Sequence, residues 1–453
     1  MKSHLVITLR TGVRAPAAAH WADAVADKAG VAQGLEPAVD AVLARWRVPV
    51  WVNREYRAAG PAWSAAEIAS GLDRVYRLVL QRDGRIPDAL LEDLRLLPIV
   101  ERVRRGEVRG APLPTPVSRA LSGVPDTASR ESIGLPEAHR LTRGDPSITI
   151  AVIDTGVWAS HPELRGVLLP GFDFVDIVDG HDEFVGDFLG ADPEPEDEVG
   201  HGTHVCGIVA ARGLAMPAGV APRCRVLPVR ALGALRQGST RVGAGLVDNI
   251  NNAIKYAVDH PSRPVVINVS LGIPHTGGGL PHEEVVDYAR RRGVTIVAAA
   301  GNDGRDALYY PGALPHVVAV GACDAEGQVA PFSTYGDQVS FVAPGEDVYS
   351  AYLAGDYAFS SGTSQAAPFV TGAVALLQAY ARQRAGVRLR DGQVKHLLKH
   401  TADRVDAHFK DRRAGHGRVN LPDALRLLEH RLGAHAAGTR RPVGAQVSPV
   451  HVQ

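Results

Sequence analysis

Four short segments of the chain carry side chains that could act together in acyl transfer. Asp154 ends one apolar run, and His201 lies between two glycines at the start of another. Asn302 follows a third apolar run, and Ser364 is surrounded by small residues just before an apolar helical pattern. Serine acyl transfer requires a nucleophile, a histidine base, a carboxylate that orients the histidine, and a donor for the oxyanion. The four residue types match that requirement.

Each segment also has a simpler interpretation when it is taken alone. An Asp before a glycine is common in turns, and a Ser before a helix is an ordinary N-cap. The amide of Asn302 could equally belong to a turn. His201, His204 and Cys206 are all possible zinc ligands, although neither an HExxH glutamate nor a second cysteine pair accompanies them. His204 is interpreted as a core or capping histidine, and the combination of the four segments favours catalysis.

Alternating strand and helix patterns position these segments. Short β-branched runs occupy residues 148–153, 225–229, 265–269, 294–300 and 317–320. Helical patterns lie between them, at 246–258 and 283–292 among others. This alternation predicts a mostly parallel sheet with helices on both faces, an α/β fold in which sites gather at the carboxyl ends of the strands. Asp154 and Asn302 both follow such runs.

The chain divides into four parts. Residues 1–110 are predicted to form a small α+β unit, with strands at 5–9, 74–81 and 99–103 and helices near Trp21, at 35–46 and at 87–97. Residues 111–130 hold four prolines and are predicted to be an exposed linker. Residues 131–432 carry the α/β pattern, and 433–453 are predicted to be a disordered tail.

Composition argues against several classes of function. Lys plus Arg and Asp plus Glu both number 49, so bulk charge does not favour a nucleic-acid or membrane-surface protein. The apolar run at 5–9 is too short for a secretory signal, and no stretch is long enough to span a membrane. We therefore expect a soluble, cytoplasmic monomer. Cys206, Cys224 and Cys323 favour buried thiols, with one disulfide left open.

The four segments together resemble the subtilisin-like serine peptidase family, the subtilases. The chain order Asp, His, Ser is the order of subtilisin and differs from that of chymotrypsin. The resemblance covers about residues 131–430, and the matching motifs are DTG at 154–156, GHGTHV at 200–205, AAGN at 299–302 and GTSQAAP at 362–368. It implies a serine endopeptidase in which Asp154, His201 and Ser364 form the triad and Asn302 donates to the oxyanion.

The same resemblance implies where a protein or peptide substrate binds. Ser270, Leu271 and Gly272 resemble the family's substrate-binding edge strand, and the primary pocket would be lined by Ala300, Gly301 and Tyr309. A substrate would add as a strand to edges near 238–241 and 269–272. Tyr309 precedes Tyr310-Pro311, where one branch of the family has glycine, so we expect a narrow pocket that favours small or medium side chains.

The first 110 residues resemble the family's ferredoxin-like inhibitory propeptide. This resemblance implies an intramolecular inhibitor and self-cleavage within 104–132, and residues 131–136 resemble the start of a mature catalytic domain. The family needs no cofactor for its chemistry. Structural Ca²⁺ is usual in it, and the acidic stretches 173–179 and 192–198 could supply ligands, although such loops are more often only solvated.

Two departures from the family pattern carry expectations of their own. Gln365 follows the nucleophile where many members have Met, so the enzyme should resist oxidative inactivation. Cys206 could lie beneath His201 and expose the enzyme to thiol reagents, or be a small core residue. Two other functions remain open: a processing protease that matures one peptide, and an inactive binding module.

Overall fold

The computed structural model describes residues 3–26, 31–82, 84–106, 108–110, 127–177, 183–238, 240–274, 279–404 and 408–439. Residues 3–106 form what we call the N-terminal unit, and residues 127–439 form the larger unit. None of the helices in these ranges is both long and apolar enough to cross a membrane.

The N-terminal unit is one antiparallel sheet with helices. Its strands are β1 (His4–Leu9), β2 (Val50–Arg54), β3 (Val75–Leu80) and β4 (Val100–Arg105), in the order β2-β3-β1-β4. Its helices are α1 (Trp21–Ala26), α2 (Pro37–Arg45), α3 (Ala65–Ala69) and α4 (Asp88–Arg95), with a 3-10 turn at Leu72–Arg74. The sequence analysis predicted three of these four strands and did not identify β2.

Strand β1 is buried on both faces. Leu5, Ile7 and Leu9 pack into the core of the N-terminal unit. Val6 instead belongs to a core cluster that is built mainly from apolar residues of the larger unit, such as Ile250 of the segment 247–259. Because alternate residues of a strand point to opposite faces, β1 joins the two units.

The larger unit is built on a seven-stranded sheet in which each pair of neighbouring strands is parallel, in the order β17-β16-β14-β12-β6-β9-β7. These strands are β6 (Thr149–Asp154), β7 (Phe172–Asp173), β9 (Arg225–Arg230), β12 (Val266–Val269), β14 (Thr295–Ala299), β16 (Val318–Cys323) and β17 (Val339–Pro344). The predicted fold class is confirmed.

Short strands surround this sheet. They are β5 (Val108–Gly110), β8 (Phe184–Val185), β10 (Gly233–Gln237), β11 (Thr240–Leu246), β13 (Ile273–Pro274), β15 (Tyr309–Tyr310), β18 (Val348–Ala351) and β19 (Tyr357–Ser360). Strands β5, β11, β10 and β8 form one antiparallel sheet, so a segment that follows the N-terminal unit pairs with the larger unit.

Helices cover both faces of the parallel sheet. They are α5 (Ala128–Glu131), α6 (Leu135–Leu141), α7 (His201–Ala210), α8 (Val247–Asp259), α9 (Glu283–Arg291), α10 (Thr363–Ala385), α11 (Asp391–Thr401) and α12 (Leu421–Thr439), with a 3-10 turn at Leu353–Gly355. Helices α7 and α10 share one core, and α8 and α9 share the other. Helix α10 is buried from Thr363 to Ala381, so it is apolar on nearly every side.

Two predicted boundaries were wrong. Helix α12 continues to Thr439, past the predicted start of a disordered tail at 433, because this stretch is rich in alanine, a strong helix former. Ala128–Glu131 form a short helix inside the predicted linker, and Arg130 is buried with its guanidinium 5.7 Å from the centroid of the Phe369 ring. The rest of the predicted linker, 111–126, and residues 440–453 lie outside the described residues.

Candidate active site

Asp154 and His201 form a buried pair at the carboxyl edge of the sheet. Asp154 is the last residue of β6, and His201 is the first residue of α7. Asp154 Oδ1 lies 2.6 Å from His201 Nδ1, and the two side chains are 1% and 0% exposed. Among the described residues, His201 Nε2 has no hydrogen-bond partner. The pair therefore fixes the imidazole by one nitrogen and leaves the other available.

Close glycine contacts bring the two segments together. A methyl group on Gly202 would lie 2.2 Å from the carbonyl oxygen of Gly156, so only glycine allows α7 to approach the end of β6 this closely. Gly200 has φ of 94° and lies against the ring of Tyr352, where a methyl group would come within 2.0 Å of ring carbon Cε2. The glycines that bracket His201 are therefore required by packing and backbone conformation.

Asp197 organises the turn that leads into α7, and the sequence analysis did not identify it. Its Oδ1 accepts hydrogen bonds from Thr155 Oγ1 at 2.8 Å and from the backbone N–H groups of Val199 and Gly200 at 3.0 and 2.8 Å. Its Oδ2 accepts from the N–H and hydroxyl of Thr203 at 2.8 and 2.7 Å. An Asp just before a glycine-flanked helix start was the available signal, but the acidic stretch 192–198 was interpreted as a possible cation site.

Ser364 is the second residue of α10, so it lies among the free N–H groups at the start of a helix. Its hydroxyl donates to the carbonyl oxygen of Ser270 at 2.9 Å, and Ser270 Oγ donates back to the carbonyl oxygen of Ser364 at 2.8 Å. Asn268 Nδ2 in turn donates to Ser270 Oγ at 2.8 Å. The Ser364 hydroxyl thus donates to the end of β12 rather than to His201. Hydrogen bonds between catalytic residues often reach their short distances only when substrate binds.

Asn302 is fixed by the residue that precedes Ser364. Its Oδ1 accepts from the backbone N–H of Thr363 at 2.8 Å and from the Thr363 hydroxyl at 2.9 Å. The N–H of Gly301 donates to the same hydroxyl at 3.1 Å. With Oδ1 engaged in this way, Nδ2 is the donor that the amide can offer beside Ser364.

The structure brings the predicted substrate-binding residues together. Ser270 and Leu271 are buried, and the Cα of Gly272 faces Tyr309. Strands β13 and β15 pair Ile273 with Tyr310. The segments that contain Gly272 and Tyr309 therefore run side by side. Ala300 donates its N–H to the carbonyl oxygen of Val320 at 2.9 Å and is buried.

The predicted substrate edge near 238–241 stays a prediction, and the structure shows another strand of the chain paired close to it. The paired stretch of β11 begins a few residues later, where Ala244, Gly245 and Leu246 pair antiparallel with Gly110, Arg109 and Val108. Residues 233–237 pair antiparallel with 240–244 in the same sheet.

The zinc alternative is wrong for the residues that suggested it. His204 Nε2 lies 3.1 Å from the carbonyl oxygens of Val348 and Ala358, and burial lowers the pKa of His204 to about 3. Cys206, Cys224 and Cys323 are all buried free thiols, so the disulfide left open does not form. Burial raises the pKa of Cys206 well above its ordinary value, as expected for a small core residue.

In the part of the chain that is described, the acidic stretches offer no cluster of side-chain ligands for a metal ion, and bound Ca²⁺ stays a prediction. No group of three or more His, Cys, Asp or Glu there could hold a metal. The buried guanidinium of Arg230 contacts Asp173 and lies 2.9 Å from Glu198 and 3.9 Å from Asp187. The positive charge that lies among these carboxylates is therefore the guanidinium of Arg230.

Comparison with known proteins identifies the family. Residues 145–417 match the sequence profile of the Subtilase family. The chain is 39% identical over 294 residues to the thermophilic serine proteinase of Bacillus sp. (strain AK1), covering 64% of this chain and 64% of that protein. It is 35% identical over 277 residues to thermitase of Thermoactinomyces vulgaris, covering 61% of this chain and 88% of thermitase.

Solved structures agree with these relatives. The prenylagaramide maturation protease PagA aligns with a TM-score of 0.53 and 30% identity, over 65% of this chain and 98% of that one. Proteases from Pseudoalteromonas arctica PAMC 21717 align with a TM-score of 0.56 and 29% identity, over 65% of this chain and 94% of that one. The chain spans less than two thirds of the length of the thermophilic serine proteinase. Its matched region and its site geometry show that the chain belongs to the subtilase family.

Proposed function

We propose that this protein is a serine endopeptidase that hydrolyses peptide bonds through an acyl-enzyme intermediate. Ser364 Oγ attacks the scissile carbonyl while His201 Nε2 takes its proton. Asp154 holds the imidazole tautomer and stabilises the imidazolium, and Asn302 Nδ2 donates to the oxyanion. His201 then returns the proton to the leaving amine, and water releases the acyl group by the same path.

One observation carries this proposal: the buried contact of 2.6 Å between Asp154 and His201, with Nε2 left without a partner among the described residues. A histidine whose Nδ1 is held by a carboxylate is oriented to act as a base at Nε2. In the structure the Ser364 hydroxyl donates to the carbonyl oxygen of Ser270. This carbonyl competes only weakly with His201 for the proton, because a neutral carbonyl is a weaker base than an imidazole that is paired with a carboxylate.

We further propose that the N-terminal unit is an intramolecular inhibitor that the enzyme separates from itself within 104–132. The pairing of β5 with β11 supports this role, since it adds a strand of the chain's own N-terminal part to an edge that leads into α8. Peptide substrates would compete with β5 for the same backbone groups.

Intact-mass analysis of the purified full chain tests both statements. Wild type should give two fragments separated within 104–132, whereas Ser364→Ala should stay whole. Ser361→Ala, three residues earlier in the same segment, is the matched control and should be cut like wild type. If the wild-type chain stays whole while a fluorophosphonate probe labels it at Ser364, self-processing is refuted and the triad is retained.

A second candidate function is the maturation of one peptide precursor. It is favoured by the similarity to the prenylagaramide maturation protease PagA. A proteome-derived peptide library separates the two functions. Cleavage at one strict sequence would support precursor maturation, and cleavage at many sequences would support general proteolysis.

A further inference from the structure

A cavity of about 240 Å³ lies between the N-terminal unit and the larger unit. Its walls come from β1, α4 and β4 on one side, and from α8, β13 and the residues at the start of α9 on the other. None of the four proposed catalytic residues lines it. A molecule bound in this cavity would therefore contact both units at a place apart from the proposed active site.

His282, in the wall of this cavity, has a ring nitrogen without a partner. The residue precedes α9 and is 1% exposed. Its Nδ1 lies 2.6 Å from Asn251 Oδ1, an oxygen that can only accept, so Nδ1 carries the proton. Burial and then Arg104 lower the pKa of His282 to about 3, with Asp248 opposing them, so Nε2 keeps its lone pair. No described residue donates to Nε2, and a ligand that completes this site must bring a hydrogen-bond donor.

The wall of the cavity also carries more positive than negative charge. Three carboxylates line it, those of Asp88, Glu92 and Glu284, whereas the N-terminal unit supplies four guanidinium groups, those of Arg95, Arg102, Arg104 and Arg105. A guanidinium group presents five N–H donors and no acceptor, so a single carboxylate partner does not use all of its donors. The cavity is therefore suited to an anion.

Three of the four arginines pair with carboxylates that water screens. These are Glu92, Glu283 and Asp88, whose side chains are 64%, 51% and 82% exposed. Exposed ion pairs contribute little to stability, so these guanidinium groups can bind an anion at small cost. Arg104 differs, because its partner Asp248 is buried and holds it in place.

An inorganic phosphate ion meets both requirements of the cavity. Its oxygens accept charge-assisted hydrogen bonds from guanidinium groups. At neutral pH it also keeps an O–H, which can donate to His282 Nε2. Sulfate has a similar size and shape but no O–H at neutral pH, so it would leave the buried Nε2 without a donor. A phosphate monoester loses its last O–H above a pKa of about 6.

We propose that this cavity binds hydrogen phosphate, which connects the arginines of the N-terminal unit to His282 of the larger unit. Because both units supply the site, phosphate binds the joined units better than the separated ones and stabilises their contact by mass action. The site does not depend on the proposed peptidase activity.

Isothermal titration calorimetry of the full chain carrying Ser364→Ala tests the proposal, since this chain stays whole whether or not the enzyme cleaves itself. Inorganic phosphate at neutral pH should show saturable binding, and sulfate at equal ionic strength should bind about tenfold more weakly. His282→Asn should bring the ratio of the two affinities to about one, because the shorter amide tolerates the positive φ of 66° but does not reach the position of Nε2. Arg105→Gln should weaken both anions alike, by about tenfold.

Arg45→Gln is the matched control, because Arg45 forms an exposed pair with Asp93 of α4 but does not line the cavity. It should leave both affinities unchanged. Hydrogen exchange on the same chain should show slower exchange with phosphate in both 102–105 and 279–284.

Each other outcome contradicts a separate part of the proposal. A chain that shows no saturable phosphate binding overturns the site and leaves the cavity to water. Equal affinities for phosphate and sulfate, an unchanged ratio in His282→Asn, or methyl phosphate that binds as tightly as inorganic phosphate overturns the requirement for the O–H. Protection on one side of the cavity alone overturns the connection between the units.

Discussion

Single residues outside the proposed triad set its geometry, and Asp197 is the strongest case. This buried carboxylate accepts four hydrogen bonds from the residues on either side of His201 and a fifth from the hydroxyl of Thr155. Thr155, one of its donors, also accepts from the N–H of Gly202 at 2.9 Å through its hydroxyl. Asp197 thus connects the end of β6 to the first turn of α7, which are the elements that carry Asp154 and His201.

Asp197→Asn should lower both stability and activity. The amide loses the charge that strengthens these hydrogen bonds and turns one acceptor into a donor, so we expect a loss of about 2–4 kcal/mol in the free energy of unfolding. Displacement of His201 should lower kcat/KM by about tenfold or more. Denaturant unfolding and peptide hydrolysis measure the two effects, with the exposed Glu194→Gln as control. A loss of stability with unchanged kcat/KM would restrict Asp197 to folding.

Gln365 offers a second prediction at this scale. It is fully buried, and neither its Oε1 nor its Nε2 has a hydrogen-bond partner among the described residues. Gln365→Met removes these unsatisfied atoms with little change in shape, so the variant should be more stable by about 1–3 kcal/mol. It should also become sensitive to peroxide, because methionine sulfoxide is polar. Residual activity after peroxide, compared among wild type, Gln365→Met and Met216→Leu, tests the sensitivity.

Among the elements, the loop after α7 depends on one carboxylate. Glu163 is buried and accepts from the backbone N–H groups of four consecutive residues, Gly213, Leu214, Ala215 and Met216, at 2.6–3.2 Å. Burial alone would raise the pKa of Glu163, but these four groups together bring it below the usual value.

Glu163→Gln should therefore destabilise the protein in a pH-dependent way. The lowered pKa means that Glu163 contributes stability above the unfolded value of about 4.3 and loses it as pH falls through the folded value. The variant should melt below wild type at neutral pH, and the difference should shrink in acid. Calorimetry across pH measures this, with Glu194→Gln as control. A difference that stays constant to low pH would contradict the role of the charge.

The local elements could largely be predicted, whereas the contacts between them could not. Strand β6 and helix α8 lie within one residue of their predicted bounds, because their apolar periodicity decides them. Strand β2 was missed, since its sequence VWVNR mixes apolar and polar residues without clear alternation. The pairing of β5 with β11 joins residues more than a hundred positions apart, and no local pattern records it.

The same distinction applies to the site. Asp154, His201, Asn302 and Ser364 were predicted from their flanking motifs, and their roles stay predictions. The hydrogen bond from Ser364 to Ser270 and the position of the Tyr309 ring depend on loops that meet only in the folded chain.

Across the whole molecule, buried charges join the N-terminal unit to α8. Arg77 binds Glu55 through two contacts of 2.7 Å, and Asn252 of α8 donates to the same carboxylate at 2.7 Å. Asp248 of α8 forms an ion pair with Arg104, and its Oδ2 lies 3.0 Å from His4 Nε2. Removing one partner of a buried ion pair is strongly destabilising. Loss of any one of these charged side chains should therefore weaken the contact between the N-terminal unit and α8.

Acid should weaken this contact. Burial and then Arg104, which lies across the contact, lower the pKa of His282 to about 3, with Asp248 opposing them. Free histidines titrate near 6.5. Below about pH 6.5 the histidine therefore binds a proton when the units are separated but stays neutral when they are joined. Affinity should fall by up to about tenfold per pH unit below this value.

After a cut in the linker, size-exclusion chromatography at about pH 7.5 and about pH 5 measures the release of the N-terminal fragment. His282→Asn should be less sensitive to acid than wild type, because asparagine does not titrate and tolerates the positive φ of 66° at this position. His139→Asn, in α6 and away from this contact, is the control. Equal release at both pH values would contradict the prediction.

Only two residues separate β4 from β5, so the strand that occupies the edge of β11 travels with the sheet that docks on α8. A short tether makes the local concentration of the attached segment millimolar whatever the bulk concentration. Self-cleavage should therefore be a first-order process whose half-time does not change over about a hundredfold dilution. The chain would mature as readily when one copy is present as when many are.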